Sequence, residues 1–219
     1  MRPLYAGIDN EGYHAFFEAL IAGRLRFGQV LKQEELGDIL GLSLSPMREA
    51  TTLLEAEGLI SVRRRIGITI FTPDVKFVGN TFQLRGLLER EGLRKLCRQV
   101  TPQWIAHMRA EHARVVAYVR EVNDMATYRL PMKQLERAFH ESFITVYEND
   151  QINRIYARLS QKMYLLRLHN PEAVGTANTV QSLNEHLGVI DAMERGDTDG
   201  AIEALDRHLK GVLHRVLTT

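Results

Sequence analysis

The segment Leu36–Ile70, LGDILGLSLSPMREATTLLEAEGLISVRRRIGITI, constrains the fold more than any other part of the chain. Two helical patterns separated by a glycine give way to apolar residues at every second position, the change of period that marks helix passing into strand. Gly41 sits where the first helix must stop and reverse, a position that tolerates positive φ. Ser45 is read as the N-cap of the second helix and Pro46 as its first residue, where a missing N–H costs nothing. That helix runs to Gly58. Ile60 and Val62, then Ile66, Ile68 and Ile70, form a hairpin with Arg63, Arg64 and Arg65 at its tip. Two helices, a tight turn and a basic hairpin are the layout of a winged helix-turn-helix DNA-binding domain.

Beyond Pro73 the texture is helical only. Six apolar faces follow the 3.6-residue period: Leu84, Leu87 and Leu88; Ile105 to Val119; Leu135, Phe139 and Phe143; Ile152, Ile155, Leu159, Met163 and Leu166; Leu183, Leu187 and Ile190; and Ile202 to Val216. The breaks fall at Thr101-Pro102, the Asn123–Pro131 segment, Asn149-Asp150, Asn170-Pro171 and Gly196-Asp197. The expected architecture is mainly α. Residues 1–73 form a winged helix-turn-helix with a small β-hairpin, and residues 74–219 an antiparallel bundle of about six helices. The link near Thr72–Asp74 is short enough to couple the two mechanically.

Charge qualifies the DNA reading without excluding it. Over residues 1–75 there are eight Lys and Arg against ten Asp and Glu, a net of −2 in a chain of +1. A uniformly basic domain is therefore excluded. The acids Glu34, Glu35, Asp38, Glu55 and Glu57 fall on the first helix and the far end of the second, so Arg48 and the hairpin arginines form a local basic rim. Few phosphate contacts imply a moderate affinity that dimerisation must reinforce. No apolar run is long enough to span a bilayer, and the N-terminal stretch lacks the apolar block of a signal peptide. The single Cys97 cannot form an intramolecular disulfide and is expected to be a small buried residue. A cytoplasmic protein without membrane contact is expected.

Within the bundle, Glu136 and His140 are four apart and so share a helix face, while His186 and His208 lie on the last two helices. One carboxylate and three imidazoles from facing helices would suit a divalent transition metal such as zinc, nickel or manganese, with positions left open for water or a ligand. Spacing alone leaves hydrogen-bonded core histidines as the alternative. His112 is read as such a core residue, and His107, His169 and His214 as surface or rim.

The run Ser43, Ser45, Pro46, Met47, Arg48, Glu49 and Ala50, closed by Glu57-Gly58-Leu59-Ile60, resembles the GntR winged-helix signature. The bundle resembles the FCD effector domain of the FadR subgroup through Leu84-Arg85, Leu88-Glu89, Phe139-His140, Asn149 with Ile152, Glu185-His186, Gly196-Asp197 and His208-Leu209. The resemblance spans nearly the whole chain. It implies a homodimer that binds a palindromic operator in double-stranded DNA and acts as a repressor relieved by a small organic acid. It implies a metal held at Glu136, His140, His186 and His208, where Glu136 replaces the family's shorter Asp. It also places Arg85 where a guanidinium pairs either a ligand carboxylate or Glu89.

For DNA it implies contacts from Ser43, Ser45 and Arg48 in the major groove or on phosphate, and from Arg63–Arg65 on backbone or minor groove. Leu44 stands where the family carries Arg, so the operator should differ from the commoner ones. Two rival readings are a metal-dependent enzyme of a small carboxylic acid and an architectural DNA-binding dimer without effector. No nucleophile or general base stands out beside the candidate ligands to favour the first.

Overall fold

The computed structural model describes Ile8 and residues 10–218; the first residues of the N-terminal stretch, Asp9 and Thr219 lie outside the described residues. The chain divides into two compact units, residues 1–74 and 75–219.

The first unit begins with helix α1 (Glu11–Ile21), where the Asn10 side chain accepts from the Tyr13 N–H. Its aromatic face, Tyr13, Phe16 and Phe17, is fully buried. Strand β1 (Val30–Leu31) precedes α2 (Gln33–Leu40), which ends at Gly41 with φ 69° in the left-handed region, as expected. Helix α3 spans Leu44–Ala56. Its N-cap is Ser43 rather than Ser45, so Pro46 lies in the first turn instead of opening it. The physical reason is the same in both positions: first-turn N–H groups have no intrahelical partner, and proline is tolerated there.

Strands β2 (Ile60–Arg63) and β3 (Gly67–Ile70) pair antiparallel, Val62 opposite Ile68, and β1 adds to the far side of β3. Ile68 and Ile70 face the core, but Ile66 does not continue their alternation. It lies in the turn and is 59% exposed. Arg63 closes β2, so the tip is Arg64, Arg65 and Ile66.

The second unit holds six α-helices among the described residues: α4 (Val75–Cys97), α5 (Pro102–Val122), α6 (Met125–Thr145), α7 (Asp150–His169), α8 (Thr176–Glu194) and α9 (Thr198–Thr218), with a 3-10 turn at Pro171–Val174. Thr101, Asp124 and Asn149 cap α5, α6 and α7 with their side chains, each worth about 1 kcal/mol. The Asn123–Pro131 segment breaks the chain only at its start. Pro131 lies inside α6, with buried Tyr128 and Met132 on either side of it holding the helix to the core. Phe139 and Phe143 are fully buried on α6 beside Val189, Ile190 and Leu205, and each such aromatic contributes roughly 1.5–3 kcal/mol.

The face expected on α4 is inverted. Leu84 and Leu87 are 39% and 55% exposed, and the buried face instead carries Val78, Phe82, Arg85, Glu89 and Leu93. Gly92 makes this arrangement possible. A Cβ there would lie 1.7 Å from the Phe143 carbonyl oxygen, so α4 and α6 approach backbone to backbone at this level. One turn earlier on α4, that close approach sets Glu89 against His140.

Candidate functional site

In the first unit, the exposed face of α3 presents Leu44, Ser45, Arg48, Glu49 and Thr52. The Ser43 hydroxyl makes no capping bond and is free for an external partner. Glu55 is exposed but committed to the hairpin: its Oε1 accepts from the Val62 N–H at 2.9 Å. Arg48, Arg63, Arg64 and Arg65 are exposed, and none forms an ion pair or a side-chain hydrogen bond with a described residue. Arg65 has φ 67°, a conformation rare for a non-glycine residue, which turns the hairpin at its tip. Four unpaired guanidinium groups on a domain of net negative charge keep their full charge available for phosphate or base edges.

In the second unit, α6, α8 and α9 bring His140, His186 and His208 together, all buried, with ligating nitrogens within 4.8 Å of one another. The Nδ1 of each ring is already engaged. His140 Nδ1 lies 2.9 Å from Glu89 Oε2 and His208 Nδ1 lies 2.8 Å from Glu185 Oε2. His186 Nδ1 lies 3.1 Å from His112 Nε2. A carboxylate only accepts, so the first two rings carry a proton on Nδ1 and turn Nε2 toward the middle of the cluster. Among the described residues, the Nε2 of His140 is the single buried side-chain nitrogen or oxygen without a hydrogen-bond partner. His186 Nε2 and His208 Nε2 stand 3.2 Å apart.

This donor set fits a divalent cation. Neutral imidazoles with bare, converging Nε2 atoms are what zinc or nickel requires, and carboxylates on the opposite ring nitrogens are the outer partners that orient metal-binding histidines. Burial, helped by Arg85, pushes the His140 pKa down to about 4, and burial likewise drives that of His186 well below its ordinary value. Both rings are thus held neutral. Glu136 is brought beside the three rings but not among them. Its Oε1 is 3.5 Å from His186 Nε2, and its Oε2 accepts from Arg167 at 2.5 Å. Burial opposes its ionisation, but neighbouring positive charge, Arg167 foremost, outweighs that and holds its pKa at about 2.

The carboxylates behind the rings are themselves fixed. Glu89 is fully buried and accepts from Arg85 Nε at 2.7 Å and from the Tyr156 hydroxyl at 2.5 Å. Burial would raise its pKa, yet Arg85 and His140 together bring it below the usual carboxylate range. Glu185 is gripped by both terminal nitrogens of Arg215, at 3.0 and 2.9 Å. The Glu89 contact uses the Nε of Arg85; its two terminal nitrogens bond no described residue and, unlike His140 Nε2, are not fully enclosed. Both roles considered for Arg85 are therefore compatible in one side chain. A cleft lined in part by Met132, Glu136, Met163, Arg167, Thr179 and Ser182 borders the cluster only through Glu136, and none of the three histidines lines it. Its cavity volume, about 20 Å³, exceeds only slightly what one water needs, so a larger ligand enters only if side chains move.

Residues 80–211 match the FCD domain, and residues 12–70 match the gntR family of bacterial regulatory proteins. This chain is a GntR-family regulator with an FCD domain. It is a DNA-binding transcriptional regulator and not an enzyme. It is 26% identical over 192 residues to the "Probable D-xylose utilization operon transcriptional repressor" of Paenarthrobacter nicotinovorans, covering 87% of this chain and 80% of that protein. It is 20% identical to the HTH-type transcriptional regulator YdhC of Bacillus subtilis, over 90% of this chain and 85% of the relative. Its fold matches that of Escherichia coli McbR/YncC with a TM-score of 0.65 at 19% identity, over 96% and 95% of the two chains.

For a GntR-family chain, what the sequence does not show is the outer set: Glu185, Tyr156, Arg167 and Arg215, and the contact of Glu89 with His140. His112 is buried, as expected, but it also touches His186. The ion pair of Arg85 with Glu89, one of the two roles expected for Arg85, is present, but nothing in spacing says that this face of α4 turns inward. His107, His169 and His214 are exposed, as expected.

Proposed function

We propose that this regulator binds an inverted-repeat operator as a homodimer, and that a small organic acid bound beside a divalent metal in the bundle weakens its hold on DNA. The observation that carries the ligand half is the convergence of three buried imidazoles, with the Nε2 of His140 lacking any partner, near Arg85, whose Nε is held by Glu89. His140, His186 and His208 would hold the metal, with Glu136 as the neighbouring carboxylate. Three imidazoles favour zinc or nickel over the more oxygen-seeking manganese. When bound, the ion supplies a positive charge to which a carboxylate can attach. Arg85 supplies a planar pair of donors for the same group, and Arg167 lines the approach.

The DNA half is supported by Ser43, Ser45 and Arg48 at the start of α3 and by Arg63–Arg65 in the hairpin, all exposed. The homodimer is supported by Leu84, Leu87 and Ile155, large apolar side chains that a single chain leaves 39–55% exposed. Regulation then follows from linkage: an acid that binds one arrangement of the protein better than another shifts the population, and DNA affinity moves with it.

Selection of duplexes from a random pool at fixed salt tests the first half. Recovery of an inverted repeat with half-sites about one helical turn apart is expected, and a pool that never enriches removes the operator reading. The recovered duplex is then titrated with zinc-loaded protein and a panel of small mono- and dicarboxylic acids. Release of DNA by at least one acid is expected. An unchanged affinity across the panel counts against the effector reading while leaving the operator intact.

A further inference from the structure

We infer that His112 is a positioning residue for the three-imidazole centre, holding the proton of His186 on Nδ1 so that His186 Nε2 stays free for a cation. His140 and His208 have carboxylates to fix their tautomers, but His186 has none at its Nδ1. Its partner there is an imidazole, which can either donate or accept. The choice is made one step further out. His112 Nδ1 lies 2.7 Å from the Met108 carbonyl oxygen in the preceding turn of α5. A carbonyl only accepts, so His112 carries its proton on Nδ1, and its Nε2 is left as an acceptor. His186 must then donate from Nδ1 and leave Nε2 bare. The chain from Met108 through His112 to His186 thus does with a backbone carbonyl what Glu89 and Glu185 do for the other two rings.

Losing this relay has a defined consequence. His186 Nε2 is 3.2 Å from His208 Nε2. Freed from His112, His186 can move its proton to Nε2 and donate to His208, which ties up two of the three nitrogens meant for the ion. Binding then has to break that bond and reverse the tautomer. His112 is also in edge-to-face contact with Phe139, with centroids 5.3 Å apart, so a phenyl ring at position 112 keeps the packing while removing the acceptor.

The inference rests on the reading that this cluster takes a metal ion, and the experiment separates the two. Zinc is titrated by competition with a chelator into the full-length wild type, His112→Phe and His112→Gln. Nitrogen-15 imidazole spectra are recorded for each metal-free protein. The wild type is expected to bind one zinc and to show His186 protonated on Nδ1. His112→Phe should lose about 10–100-fold in zinc affinity, the usual cost of removing an outer partner, with His186 shifted toward the Nε2–H form. His112→Gln, whose side-chain oxygen reaches about as far as Nε2, should recover most of the affinity. A wild type that takes no zinc overturns the metal reading and this inference with it. A wild type that binds zinc, beside a His112→Phe protein with unchanged affinity and an unchanged His186 tautomer, overturns the inference alone.

Discussion

The two units use arginine in opposite ways. In the winged unit Arg48, Arg63, Arg64 and Arg65 are exposed and unpaired, while in the bundle Arg85, Arg167 and Arg215 are bound to Glu89, Glu136 and Glu185. An unpaired surface cation costs the fold little and is available to another molecule. A buried one must be paired, and it then serves to fix the position of its partner. The winged unit is therefore a surface whose chemistry is completed from outside. The bundle is an interior whose charges orient one another, and under the proposed function the exception is the far end of Arg85.

The sharpest break in the comparison is His186→Ala. It removes a ring on which both the cluster and the His112 relay depend, and zinc binding is expected to vanish in a chelator competition assay, while affinity for the selected duplex stays within about twofold. Loss of DNA binding with zinc retained would show that the division between the units is drawn wrongly. Second in size is Glu89→Leu, which leaves Arg85 buried without its counter-charge and frees the His140 ring. Breaking a buried pair from one side costs about 3–5 kcal/mol, to be read from urea unfolding followed by a probe in the bundle. A loss under about 1 kcal/mol would mean that Arg85 finds water on that face, and that α4 is not packed as described.

Third, Arg48→Ala should cost about 1–3 kcal/mol in operator affinity if the side chain reads a base. If it touches only phosphate, the loss should be uniform across sequences, and the slope of log affinity against log salt should fall by about 1. In either case the unfolding curve and zinc titration should not move. The same substitution in an internally paired arginine would move them first, and that contrast is what the comparison predicts.

The same division explains what the sequence could convey. The turn at Gly41, the helix ending before Gly58, and the caps at Thr101 and Asn149 are local events with local signals, and they lie where spacing placed them. Helix α1 was not anticipated, although Tyr13, Phe16, Phe17 and Leu20 after Asn10 form a stripe that spacing could have shown. Two-residue β1 carried none, because a strand so short exists only through its pairing with β3. In the bundle, Glu136 and His140 announced a shared face. Glu89 and Glu185 could not, because an acid becomes an internal partner only when helices distant in sequence close over it. The inversion of α4 has the same origin. Leucines 84, 87 and 88 look like a core stripe to any periodicity argument, yet burying Arg85 and Glu89 against α6 leaves Leu84 and Leu87 outside.

The smallest effect tests the most local departure in the winged unit. Leu44 opens α3 and is 63% exposed, where the GntR pattern carries a charged side chain. Leucine cannot hydrogen-bond a base edge, but it can cover the C5-methyl of thymine in the major groove. Replacing single thymines by uracil across one half-site of the selected duplex removes one methyl at a time and changes no hydrogen bond. One position should lose about 0.8 kcal/mol, the value of one buried methylene-sized group, or roughly fourfold in affinity. In a Leu44→Ala protein that loss should disappear, because no side chain remains to cover the methyl. A scan that is flat for the wild type would instead place Leu44 over the sugar-phosphate edge. The operator's sequence would then be read by Ser43, Ser45 and Arg48 without it.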